Sequence, residues 1–179
     1  MLEQMTQRLQ AQRSFEAAIE TLLNDVVALH GAEYGDLQLL IRDELVLVAQ
    51  RGLSPQFLRA FRSIGKADDC ACGRALRVGR TVVVADVLKD AGYAAFRAEA
   101  EAVGYRAVQS TPIATSRGRV LGMVSTLFAN AHEPTPIEID TLGRYCGVAA
   151  DYLEVLLGSA TLAAKAQRMN AMLYAEAVA

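Results

Sequence analysis

The first thirty residues carry one apolar stripe at helical spacing. Apolar side chains recur at alternating steps of four and three residues, which places them on one face of an α-helix. The stripe consists of Phe15, Ile19, Leu22, Val26 and Leu29. Gly31 follows it, and glycine favours the left-handed conformation that ends many helices. The pattern predicts a helix over residues 1–30.

Two short apolar runs, residues 37–41 and 45–49, follow this helix. The polar break between them is of hairpin length, so the runs predict two antiparallel strands. Next, Ser54 and Pro55 predict the start of a short helix, because serine caps helices and proline fits their first turn. Residues 68–79 predict a loop and a second short helix that ends in glycine.

The remaining pattern predicts one more strand, a helix, a second hairpin and a final helix. Residues 81–85 are mostly β-branched and predict a strand, whereas residues 93–103 are rich in alanine and glutamate and predict a helix. Residues 106–113 and 120–128 form the second predicted hairpin. The last helix begins at Thr135-Pro136 and is predicted to run almost to the carboxyl terminus. Antiparallel strands with helices on their faces indicate an α+β layered domain.

The last helix carries a heptad pattern over more than three repeats. Its apolar positions alternate strictly between steps of three and four residues. They are Ile139, Leu142, Cys146, Ala149, Leu153, Leu156, Ala160 and Ala163. A helix packed on its own sheet also produces such a stripe. The interpretation that we favour is a homodimer built from the terminal helices.

Composition narrows the function classes. The chain has 179 residues, 53% of them apolar, which suits one domain with a full core. A net charge of -2 provides no basic surface for nucleic acid or an anionic membrane. Apolar runs are too short to span a bilayer, and the amino terminus lacks a secretion signal. Three cysteines argue against a disulfide framework, so we expect a cytoplasmic location.

Several segments in a fixed order resemble the GAF domain family, especially GAF domains of bacterial sensor histidine kinases. The most characteristic is Ala71-Cys72-Gly73-Arg74-Ala75-Leu76. The other segments are residues 35–40, 47–53, 82–87, 107–113 and 121–126, followed by 134–139 at the start of the last helix. The likeness runs from Gly31 to about Leu157, roughly two-thirds of the chain.

The resemblance implies a central antiparallel sheet of about six strands, with helices on both faces and long terminal helices. It divides the chain into an amino-terminal packing or dimerisation helix (1–30), a GAF core (31–134) and a carboxy-terminal signalling or dimerisation helix (135–179). The terminal helices would cover one face of the sheet, and small helices would close a ligand pocket over the other. GAF domains sense chemically diverse small molecules, so the fold names neither ligand nor cofactor.

The resemblance also supplies candidate pocket residues, which combine apolar walls with a few polar groups. They are Phe57, Phe61, Cys72, Tyr93, Phe96, Gln109, Thr111, Ser125 and Thr126. Strand parity puts Gln109 and Thr111 on one face, where an amide and a hydroxyl could orient a ligand. The alternative is that these polar groups only bond to nearby backbone.

Specific chemistries find little support in the motifs. Cys70-Ala71-Cys72 is tighter than usual zinc spacing and has no second ligand pair, so no metal site is predicted. Cys72, at a helix start, is either mildly reactive or a small buried apolar residue. The family signatures for cyclic-nucleotide and bilin binding are missing. Free methionine sulfoxide reductases resemble the chain at Cys72-Gly73, but their further cysteines have no counterpart within residues 84–110.

These observations predict a sensory domain without catalytic activity. A small molecule would shift the population of two arrangements, and the terminal helices would transmit the shift to a signalling partner protein. The alternative is a dimerisation or scaffold domain that binds no ligand. Leu127 suggests this alternative, because similar domains often have histidine there.

Overall fold

The computed structural model describes residues 1–178, which form an antiparallel sheet between helices. The strands are β1 (Tyr34–Ile41), β2 (Glu44–Arg51), β3 (Ser63–Gly65), β4 (Val82–Val84), β5 (Ala107–Ala114) and β6 (Val120–Phe128). The helices are α1 (Leu2–Gln10), α2 (Phe15–His30), α3 (Pro55–Ala60), α4 (Ala71–Val78), α5 (Arg97–Val103), α6 (Pro136–Leu157) and α7 (Leu162–Val178), with a 3₁₀ helix at Ala91–Phe96. The sheet order is β3-β2-β1-β6-β5-β4, and every pairing is antiparallel. This architecture confirms the predicted α+β class with six strands.

Both predicted hairpins are present, as β1–β2 and β5–β6. The sequence pattern does not predict β3, a strand of three residues that pairs with Glu44, Leu45 and Val46 of β2. So short a strand has no readable alternation of its own, and pairing with β2 decides its conformation.

The amino-terminal segment forms two helices rather than the one predicted. The hydroxyl of Ser14 accepts a hydrogen bond from the Ala17 amide at 3.2 Å and so caps α2. The extended backbone of Ser14 separates α2 from α1. This break lets Met5 and Leu9 of α1 turn back onto α6, and both are buried there.

One face of the sheet is covered by α1, α2 and α6, and this first core contains the heptad stripe of α6. Leu142, Cys146, Ala149 and Leu153 are at most 1% exposed and pack within the chain. The stripe is therefore used for intramolecular packing, as the alternative interpretation held. A dimer through α6 would have to use its opposite face, where Val155 remains 72% exposed.

The last predicted helix is interrupted. α6 ends at Leu157, Gly158 adopts a positive φ of 54°, and α7 leaves at an angle of 99°. Within residues 1–178 no single helix has the length and apolar character for a membrane span; α6 and α7 reach it only as this bent pair. α7 instead lies along β2.

α7 covers a part of the sheet edge that β3 leaves open. β3 pairs with β2 only up to Val46. Immediately beyond, the side-chain amide of Asn170 donates a hydrogen bond to the Leu47 carbonyl at 2.7 Å. The Tyr174 hydroxyl donates another to the Leu58 carbonyl of α3. α7 thus protects an exposed strand edge and touches a helix of the opposite face.

Candidate functional site

The second face of the sheet lies beneath α3, α4, the 3₁₀ helix and α5, and it holds most of the predicted site residues. Phe57, Phe61, Cys72 and Tyr93 are buried in this second core, and Phe96 packs against it. Ser125 faces the same way, because it pairs with Asp36 of β1 and its hydroxyl lies 2.8 Å from that of Ser110.

Three predicted site residues lie on the opposite face. Successive side chains on a strand alternate between faces, so Ser125 and Thr126 cannot both line one pocket. Thr126 points towards α2, where its hydroxyl lies 3.0 Å from Nδ1 of His30. Gln109 pairs with Thr126 across the strands, and Thr111 shares its face. Gln109 and Thr111 therefore share one face, but it is the face opposite the aromatic residues; Ser110, between them, faces the second core.

Five aromatic rings form the apolar part of the site. Phe57 and Phe61 of α3 stack at 4.1 Å between centroids, and Phe61 contacts Phe96 at 5.2 Å. Tyr105 meets Phe57 and Tyr93 edge-on, at 6.2 and 6.4 Å. The hydroxyls of Tyr93 and Tyr105 lie 2.9 Å apart. We call this group the aromatic cluster. Its member Tyr105, which precedes β5, is not among the predicted site residues.

Local interactions hold the elements that carry these rings. Ser54 caps α3 by accepting from the Phe57 amide at 3.2 Å, and Pro55 occupies the first turn, as predicted. The Arg74 guanidinium of α4 pairs with both carboxylate oxygens of Asp90, at 2.6 and 2.8 Å. Asp90 also accepts from the Tyr93 amide at 3.1 Å. One carboxylate therefore ties α4 to the 3₁₀ helix and orients Tyr93.

A close backbone contact requires the glycine of the Cys72-Gly73 dipeptide. A Cβ at Gly73 would lie 2.3 Å from the Asp68 carbonyl oxygen, which is sterically impossible without movement of the backbone. Glycine lets α4 press against the preceding loop, and this contact brings Cys70 and Cys72 onto the sheet.

The least compensated group of the site is Asp36, which is not among the predicted site residues. Asp36 is 4% exposed, and within residues 1–178 no hydrogen bond or ion pair lowers the pKa of its carboxyl. Desolvation raises its pKa to about 8. Gln38 lies two residues further on the same face, with both amide atoms buried and without a partner among the described residues. The alternation of Asp36 and Gln38 with Leu37 and Leu39 is the signal that could have revealed both.

Two thiols lie in the second core, on the same side of the sheet as this carboxyl. The sulfur atoms of Cys70 and Cys72 are 3.4 Å apart and buried. A hydrogen bond from Cys72 lowers the pKa of Cys70, whereas that bond and burial raise the pKa of Cys72. The charge of Asp36 acts against ionisation of both thiols and of Tyr105, so it adds a smaller upward contribution to the pKa of each, and all three lie in the second core.

The predicted hollow on this face is filled by side chains. Phe57, Phe61, Tyr93 and Tyr105 are each at most 4% exposed. A surface pocket of about 770 Å³ lies elsewhere, at the α6–α7 turn. Rings close on one another because burying aromatic surface is favourable. Binding at the site would require the aromatic cluster to open.

Ligands for a metal ion are not assembled. No three His, Cys, Asp or Glu side chains within the described part of the chain are close enough to hold one. What the site offers instead is a carboxyl, an amide, two hydroxyl pairs and aromatic faces. Such groups suit a small organic molecule.

Three solved structures show how this fold recurs. A domain of a protein assigned as a two-component sensor histidine kinase from Sinorhizobium meliloti has 16% identity and a TM-score of 0.67, covering 82% of this chain and 95% of that one. The free methionine-R-sulfoxide reductase from Neisseria meningitidis, in complex with its substrate, has 20% identity and a TM-score of 0.72, covering 88% and 89%. The chromophore-binding domain of a bacteriophytochrome from R. palustris has 14% identity and a TM-score of 0.67, covering 89% and 61%.

Sequence comparison agrees with these structural likenesses. No curated protein matches the chain. The sequence profile of the GAF domain, however, matches residues 12–154, which include α2, all six strands and most of α6. With the profile over most of its length and the same fold in the three structures, the chain belongs to the GAF domain family.

Proposed function

We propose that this GAF domain senses a small molecule at the second core and relays binding through its terminal helices, without catalysis. The observation that carries the proposal is Gln38, whose two buried amide atoms lack partners, two residues from the buried carboxyl of Asp36 on the face of the sheet that carries the aromatic cluster. Buried polar groups without partners are costly, and proteins keep them mainly where they serve a function. The sensor kinase domain and the chromophore-binding domain among similar structures fit this class.

The route from site to terminal helices starts at α3. This helix carries Phe57 and Phe61, which cover the site, and its Leu58 carbonyl accepts the hydrogen bond from Tyr174 of α7. The Arg62 guanidinium, just after α3, lies 5.0 Å over the Tyr174 ring. A ligand that displaces α3 would therefore disturb α7. The mechanism requires the ligand to favour the displaced arrangement.

A homodimer would extend this relay to a partner protein. The outer face of α6 carries Ile137, 77% exposed, and Val155, 72% exposed, five turns apart on one side. We infer that this face, rather than the buried heptad stripe, forms the dimer contact. Sedimentation of the wild type and of Val155→Glu tests it: the variant should be monomeric where the wild type is dimeric. A monomeric wild type would remove the dimer from the proposal.

Native mass spectrometry of the purified full chain tests the sensor proposal. We expect a bound mass, or an increase in melting temperature with at least one compound of a metabolite panel. The positive compound should raise amide hydrogen exchange in residues 55–61 and 162–178 together, because α3 and α7 are linked. A chain that carries no mass and responds to no compound would support the scaffold alternative.

The cysteine pair makes a reductase the second candidate. A thiolate would attack the sulfoxide sulfur, and methionine would leave while the oxygen stays on the cysteine as a sulfenic acid. The second thiol would then displace that oxygen as water and form a Cys70–Cys72 disulfide, which an external dithiol would reduce. The 3.4 Å separation of the sulfur atoms favours this second hypothesis. We expect no NADPH consumption with free methionine-R-sulfoxide in a thioredoxin-coupled assay. Turnover lost in Cys72→Ser would replace the sensor proposal with an enzyme.

A further inference from the structure

The charges around Asp36 define what could neutralise it. Across the strands Asp36 pairs with Ser125 and Gln50, and the second core on its face of the sheet contains Cys70, Cys72 and Tyr105, whose pKa values its charge affects. All five are neutral or acidic. The buried polar and charged residues within 1–178 include no lysine, arginine or histidine. The protein therefore supplies no cation for this carboxyl.

The surroundings of Asp36 favour a cation from outside. An ammonium group would provide the missing counter-charge and donate hydrogen bonds to the carboxylate. Aromatic faces attract cations through their quadrupoles, and Tyr105, which lies in the core on the same face of the sheet as Asp36, is part of the aromatic cluster. An anionic ligand would meet a carboxyl and two thiols instead, which disfavours it.

Gln38 adds a second requirement. It follows Asp36 by two residues on the same face of β1, which separates the two side chains by about 7 Å. Its carbonyl and amino groups are both without partners within the described chain. A ligand that fills the site would satisfy Gln38 with a hydroxyl or carbonyl group at that distance from its charge.

We propose that the ligand is a small organic ammonium ion, its charge held by Asp36 and its apolar body by the aromatic cluster. This inference rests on the proposed sensor function and adds the ligand class. The carboxyl ionises when it binds the cation, so binding releases a proton into solution. Affinity should accordingly rise as the pH is raised from 6 towards 8 and then level off.

The test uses three probes of one shape, phenethylamine, phenethyl alcohol and 3-phenylpropanoate, with the full chain. We expect titration calorimetry to detect the amine at millimolar concentration, with proton release visible as a dependence of the heat on buffer. The alcohol and the carboxylate should bind at least about tenfold more weakly. Asp36→Asn should lose the preference for the amine, whereas Asp43→Asn, in the exposed β1–β2 turn, should keep it.

The possible failures are distinguishable. If the alcohol or the carboxylate binds as tightly as the amine, or if Asp36→Asn binds the amine unchanged, the ligand class is wrong and the sensor function stands. If the purified chain carries a neutral or anionic compound and ignores the amine, the same conclusion follows. If no compound of any charge binds, both proposals fall. Melting curves of the variants show whether each is folded.

Discussion

The two faces of the sheet each bury an aspartate, and they treat it in opposite ways. Asp25 of α2, 9% exposed, receives hydrogen bonds from the Arg8 guanidinium at 2.7 Å and from the Tyr145 hydroxyl at 2.6 Å. Asp36 of β1 receives none within residues 1–178. A buried carboxylate with partners can be structural, whereas one without them is costly when ionised, and either protonation or a bound cation would reduce that cost. The contrast separates the first core, which stabilises the fold, from the second, where we place the function.

The largest effect is expected in the first core, from Leu153→Ala. Leu153 is fully buried between α6 and its neighbours, so truncation should leave a cavity and lower the free energy of unfolding by about 2–5 kcal/mol. Urea unfolding at several protein concentrations measures it. The loss should not depend on concentration, because the packing is within one chain. Leu88→Ala, at a leucine that is 43% exposed and lies outside α6, is the matched control and should change stability little.

Tyr145→Phe tests the partners of Asp25. The ring remains, but one carboxylate oxygen loses its donor, so the free energy of unfolding should fall by about 1.5–3 kcal/mol. Urea denaturation at pH 7 provides the measurement. An unchanged stability would mean that Asp25 does not depend on this hydroxyl, and the contrast between the two aspartates would weaken.

Asp36→Asn should act in the other direction. Because the folded-state pKa of Asp36, about 8, lies above its ordinary value, the folded chain keeps a proton that the unfolded chain releases. Between about pH 4 and 8 this group therefore makes stability fall as pH rises, by up to about 1.4 kcal/mol per pH unit. The asparagine variant should lack this component and be the more stable protein at pH 9. Unfolding curves of the wild type and the variant, measured from pH 5 to 9, test this prediction. If the free energy of unfolding changed equally with pH in both proteins, Asp36 would not be an uncompensated carboxyl.

The smallest effect is expected at the link between the two regions. Asn170→Ala removes the hydrogen bond to the Leu47 carbonyl and should cost about 0.5–1.5 kcal/mol. The local effect should be easier to detect than the loss of stability: amide hydrogen exchange should accelerate in residues 47–51 and 162–178. Gln167→Ala, on an exposed position of α7, is the control. Exchange that stays slow in Asn170→Ala would mean that α7 does not depend on this bond.

Much of the fold follows from local signals in the chain. The two hairpins, the caps at Ser54 and Thr135, and the glycines that end α2 and α4 were readable, because turns and caps depend on a few adjacent residues. Phe57, Phe61 and Tyr93 were identified as members of one site through the family resemblance. Neither the sequence pattern nor the resemblance showed that Ser110, rather than Gln109, points into the second core, since this depends on which face of the sheet each helix covers.

The amino-acid sequence by itself determined the class of fold and the order of most of its elements, because hydrophobic period and turn chemistry are local properties. The family followed from the resemblance of its segments to GAF domains. Tertiary structure decided the use of each surface. It placed the heptad stripe of α6 inside the chain, turned α7 back along β2, and left Asp36 without a partner while it gave Asp25 two. These outcomes depend on which distant segments of the chain contact one another, and the spacing of residues along the sequence does not predict such contacts.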